Sequence, residues 1–127
     1  MNKIKILLVS QAVVECLLGI GPLLVPEISS GMLGIILTDP EAILMSRIAG
    51  ATLISLGVFS WSVRNEPMSA LFQKVLKLFW MWQSLIFVVL LISQLLGARG
   101  TIGWLPVFIH GSFALGFTWA VMQAKSR

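Results

Sequence analysis

Three ionisable side chains stand inside long apolar runs of this chain: Glu15 in AVVEC, Arg47 in MSRIAG and His110 in FIHGS. An acid, a guanidinium and an imidazole that meet in a water-poor interior can form ion pairs, move protons or hold the polar end of a ligand. Left alone at membrane depth, each is expensive: insertion scales put a charged side chain at the centre of a bilayer at about 2.5–3.5 kcal/mol. We therefore read Glu15, Arg47 and His110, with Gln94 nearby, as one ligand-binding or ion-pair cluster.

Position along each segment supports that grouping. Glu15 lies about ten residues from the end of its apolar run, or ~15 Å deep. Arg47 is about five residues into the second run and His110 about six into the fourth, ~8 and ~9 Å down. Gln94 falls in the same layer of the third run, and Gln83 lies deeper. Facing agrees too. Gln11, Glu15 and Gly19 share one helical stripe; Arg47, Gly50, Ile54, Gly57 and Trp61 share another; Gln83, Phe87, Leu90 and Gln94 a third.

Each residue also has a plainer reading. Arg47 is close enough to a surface to snorkel to the headgroups. His110 can be an ordinary hydrogen-bonded core side chain. Glu15 is too short to snorkel, so it must be paired or carry a proton; its plainer role is a structural ion pair that fixes helix register. Cys16 is the only cysteine and lies in the first apolar run, where it reads as a small core hydrophobe.

The elements that must position these groups follow from composition. The chain has 127 residues, of which 57% are hydrophobic and only 11% charged, too few polar groups to cover a soluble domain. A mean hydropathy of +0.96 says the same. We expect an all-α, integral membrane four-helix bundle forming a single domain, with spans near 4–25, 42–62, 78–96 and 104–123. The N-terminal run resembles a signal peptide, but Glu15 interrupts it and no small-x-small site follows, so it is kept as the first span. Pro22 and Pro26 should end that span. Asp39-Pro40-Glu41 is a helix start. Met68, Leu71, Phe72, Val75, Leu76 and Phe79 recur at helical spacing opposite Gln73, Lys74 and Lys77, which predicts a short interfacial helix before the third span.

Orientation is set by the basic residues. Lys3, Lys5, Arg64, Lys74, Lys77, Lys125 and Arg127 fall on one side; Arg47 and Arg99, with Glu27, Asp39 and Glu41, fall on the other. Both termini should then be cytoplasmic, in a multi-pass protein of the cell inner membrane. Trp61, Trp80, Trp82 and Trp119 should lie near the inner boundary and Trp104 near the outer one.

Several functions are excluded. The net charge of +4 is spread over segment ends rather than over a patch interleaved with aromatics, which argues against nucleic acid and for anionic headgroups. One His and one Cys argue against a dedicated all-protein metal site. There is no nucleophile elbow and no phosphate loop, so no catalytic residue is assigned and no cofactor is expected.

Two resemblances follow from the first half of the chain. Glu15, then GPLLVP (21–26), RIAGA (47–51) and Gly57 to Trp61 resemble the pattern of small four-helix bacterial membrane proteins that are loosely DoxX-like. That likeness implies the fold more than an activity. A mid-span acid in a small four-helix protein is also similar to small multidrug resistance transporters, which would make Glu15 a proton-coupling residue. The long first loop and the strong charge bias depart from that pattern. The expected function is non-enzymatic: the cluster binds an amphiphilic molecule such as a lipid or quinone, or the chain is an accessory subunit of a homo-oligomer or larger membrane complex. A proton-coupled transporter is the alternative. A lipid- or quinone-directed enzyme, with His110 as base, is third.

Overall fold

Local chemistry at the helix starts explains where the elements begin. Asp39 is extended and its Oδ1 accepts from the Glu41 N–H at 3.1 Å, with Pro40 in the first turn, so one helix starts there. Ser69 Oγ accepts from the Phe72 N–H at 3.1 Å and starts another. The computed structural model describes residues 3–97 and 100–125, excluding the Lys125 side chain. Arg99 and Arg127, counted above for orientation, lie outside the described residues. The elements are α1 (Lys3–Leu24), α2 (Pro26–Met32), α3 (Pro40–Ser62), α4 (Ala70–Leu95), a 3₁₀ turn (Thr101–Gly103) and α5 (Trp104–Lys125). Four helices are long and apolar enough to cross a membrane: α1, α3, α4, and α5 together with its 3₁₀ turn.

Two expectations about local structure change. The amphipathic stretch before the third span is not a separate helix but the first turns of α4, which runs for 26 residues without a break. No Gly or Pro lies between Ala70 and Leu95 to interrupt it. The separate short helix comes earlier, as α2, with Pro26 in its first turn. Pro22 does not end α1 either; the helix runs through it to Leu24, and the Val25 N–H still bonds Gly21 O at 2.8 Å. Pro22 has no N–H, so the Leu18 carbonyl loses its helical donor.

The helices associate mainly as two antiparallel hairpins, α1 on α3 and α4 on α5. The first is a glycine contact. A Cβ on Gly50 would lie 2.5 Å from Leu23 N and 2.6 Å from Gly19 O, and one on Gly57 would lie 2.8 Å from Ala12 O. Without side chains at these points, backbone meets backbone, the close approach that dispersion between membrane helices favours. The hairpins meet each other at the end holding the chain termini, where Ile4, Leu8, Phe72, Leu76, Phe79, Phe113 and Phe117 form the core. Phe79 and Phe117 stack with centroids 5.4 Å apart. At the opposite end, α2 and the chain after it fold over the helices, and the Gly100 N–H donates to Leu33 O at 2.9 Å.

Candidate functional site

Between the hairpins, above the aromatic core, α1, α4 and α5 each present one polar side chain: Glu15, Gln83 and His110. All three are buried. The Gln83 amide nitrogen donates to Glu15 Oε1 at 2.6 Å, and its carbonyl oxygen lies 2.6 Å from His110 Nδ1. An amide oxygen can only accept, so Nδ1 carries the proton in this contact. His110 Nδ1 is also 4.0 Å from Glu15 Oε1. The result is a chain of acid, amide and imidazole that ties α1 to the α4/α5 hairpin. Glu15 Oε2 is buried and has no hydrogen-bond partner among the described residues.

The acid and the imidazole thus meet, but the arginine does not join them. Arg47 is exposed on α3, and no ion pair links it to Glu15 among the described residues. The reason is the register of the first hairpin. Gly50 already packs against Leu23, at the end of α1, so one turn further along α3 there is no α1 backbone to cover Arg47. Cys16, next to Glu15, packs on Gly57. From that level Arg47 is about 12–15 Å away along the helix axis. Gln94 also stands apart, ~16 Å along α4 from Gln83. It is buried, and its amide nitrogen donates to Gly100 O at 3.2 Å, closing the turn ahead of α5.

Gln83 is the member that sequence reasoning left out of the cluster. It lies on the inward stripe of its span, but an uncharged side chain carries no charge penalty that would single it out. The 3₁₀ turn supplies part of the missing signal. Its residues extend the fourth span by three residues ahead of Trp104, so His110 lies deeper in that span than a start at Trp104 implies. A second polar contact lies closer to the termini. Ser60 Oγ donates to Leu8 O at 2.9 Å and lies 3.3 Å from Gln11 Oε1, while Gln11 Nε2 is buried without a partner among the described residues. Gln11 and Glu15 are one turn apart on α1.

His110 also faces a cavity of about 370 Å³ on the α2 side of the chain. Leu18, Pro22, Leu53, Ile86 and Leu33 supply apolar walls, and Trp82 lines it as well. The Trp82 indole N–H is buried and has no partner among the described residues. Trp82 therefore lines an interior space, not only the boundary belt expected for it. Beside the indole stand the imidazole and the Thr52 hydroxyl, which donates to Ile48 O; the rest of the lining is hydrocarbon. That combination suits a small apolar molecule with one or two oxygen atoms. No group of three or more His, Cys, Asp or Glu side chains gathers to hold a metal among the described residues. Compared with known proteins, the chain matches no family model, no curated protein and no solved structure.

Proposed function

We propose that this chain is a non-enzymatic, multi-pass protein of the bacterial inner membrane that holds a small uncharged amphiphile between its two hairpins. In this reading the four spans form one bundle with both termini cytoplasmic. The basic residues support that orientation: Lys3, Lys5, Arg64, Lys74 and Lys77 cluster at the termini end, and Glu27, Asp39 and Glu41 at the α2 end. Arg64 supports it as well, with its guanidinium 3.9 Å from the centre of the Trp61 ring, a pairing suited to a headgroup boundary.

One observation carries the ligand reading: the buried, unpartnered Trp82 N–H beside the His110 cavity. A buried donor without a partner costs about 1–3 kcal/mol, and a carbonyl or hydroxyl oxygen on a guest relieves that cost. The Glu15–Gln83 contact holds His110 in place behind the guest. Native mass spectrometry from mild detergent tests this. The parent protein should carry a small-molecule adduct, and Trp82→Phe should lower its retention about tenfold at unchanged helicity, since a hydrogen bond of this kind contributes up to about 1.5 kcal/mol. His110→Ala should lose it. A parent without adduct, or equal retention in all three proteins, overturns the reading.

A second reading draws on the free oxygen of Glu15. A buried carboxylate with one unpartnered oxygen is a place to carry a proton, as in a small multidrug-type transporter working as a homo-oligomer. In proteoliposomes under an imposed proton gradient, Glu15→Gln should then abolish efflux of a lipophilic cation. If parent and variant move the cation equally, this second reading is dropped.

A further inference from the structure

A concavity larger than the His110 cavity lies elsewhere. A groove of about 670 Å³ runs between α4 and α5 at the termini end, lined by Leu78, Met81, Val121 and Met122, with Lys74 and Lys77 at its rim. Trp80 and Thr118 complete it, and they are joined across the two helices by a Trp80 Nε1–H to Thr118 Oγ1 hydrogen bond of 2.9 Å. That bond fixes the wall of the groove. We infer that this groove holds an anionic two-chain phospholipid, with its phosphate at Lys74 and Lys77 and its chains along the α4/α5 seam.

Charge selects the occupant. Lys74 and Lys77 are three apart on α4, so their side chains lie on one face. Both are exposed, no acidic residue lines the groove, and neither lysine forms an ion pair with an acid among the described residues. A second groove on the same helix pair, of about 530 Å³ between Trp104 and Thr118, carries no charged residue. The two differ in what they can attract: the first offers cations directly beside hydrocarbon, the second hydrocarbon alone. A docked apolar helix would have to desolvate both ammonium groups without supplying an anion. A phospholipid brings its phosphate at headgroup depth while its chains fill the apolar floor, and Lys side chains reach outward to meet it.

The inference rests on the orientation proposed above, which puts the lysines at the cytoplasmic leaflet. It does not depend on the His110 cavity. A C-terminal reporter fusion checks the orientation separately. The binding test adds phosphatidylglycerol or phosphatidylcholine of matched chains to the detergent-solubilised protein and reads retained lipid by native mass spectrometry. At about fivefold per lysine, phosphatidylglycerol should be favoured about 25-fold. Lys74→Gln/Lys77→Gln should bring that ratio close to one, and Lys3→Gln/Lys5→Gln, at the same end but outside the groove, should leave it intact. Phosphatidylglycerol with brominated chains should quench tryptophan emission in the parent and much less in Trp80→Phe. No preference in the parent, or the same loss in both double variants, overturns the site.

Discussion

Alanine at position 50 should part α1 from α3 and cost about 3 kcal/mol, the upper end of what overpacking usually costs. The Cβ it adds would lie 2.5 Å from Leu23 N and 2.6 Å from Gly19 O. Both are backbone atoms of the opposing helix, so no rotamer change relieves the clash and the helices must separate. Separation forfeits the dispersion contact along the whole seam, including the Gly57 approach to Ala12. Alanine's better helix propensity returns at most about 1 kcal/mol. Two other glycines set the scale. Gly116→Ala meets a Leu7 methyl at 2.8 Å, the movable end of a side chain, and should cost less; Gly31→Ala meets nothing within 4 Å and should be near neutral. Unfolding in mixed micelles by SDS titration gives the ranking. Equal midpoints for the variants at 50 and 31 would refute the glycine seam.

The second large effect is expected at Gln83. Replacing it with leucine removes the donor to Glu15 and the acceptor for His110 in one step. Interhelical hydrogen bonds in membrane proteins average only about 0.6 kcal/mol, so the lost bonds alone would be a small effect. Stranding decides the size. Each of the two buried groups left without its partner adds about 1–3 kcal/mol, giving about 2–6 kcal/mol in all. The same argument predicts the reverse for a wholly apolar site. Glu15→Leu/Gln83→Leu/His110→Leu removes all three polar groups together and should be more stable than Gln83→Leu alone. Gln94→Leu, which loses one bond to Gly100 O, should cost about 1 kcal/mol. A triple variant weaker than the single one would show that the polar chain is not an interior liability held in balance.

Particular residues show what was legible in the sequence. The long apolar helices follow from composition, and the start of α3 from Asp39-Pro40-Glu41, because capping is local chemistry. Glu15 and His110 stand out because titratable groups inside apolar runs are rare. Gln83 did not, because an uncharged residue carries no such penalty and only the meeting of three helices reveals its two contacts. Arg47 was misplaced for a related reason. Only the middle of its stripe, Gly50 and Gly57, is buried against α1; where α1 ends opposite α3 depends on which glycines touch, and Gly50 against Leu23 leaves Arg47 uncovered. The short helix was looked for ahead of α4 because periodicity marks an amphipathic face but not a break; a proline or glycine marks the break, and none occurs there.

The lopsided contact between the hairpins has a mechanical corollary. Their aromatic grip, with Phe59 of α3 against Phe79 of α4 at 5.6 Å between ring centres, sits toward one extremity, while the cavity and the Gly100–Leu33 tie sit toward the other. The arrangement is that of a clothes-peg, with the tilted Phe59–Phe79 pair near the pivot and the cavity toward the jaws. On the proposed ligand reading, a guest would enter by undoing the tie at Leu33, with the aromatic end left closed.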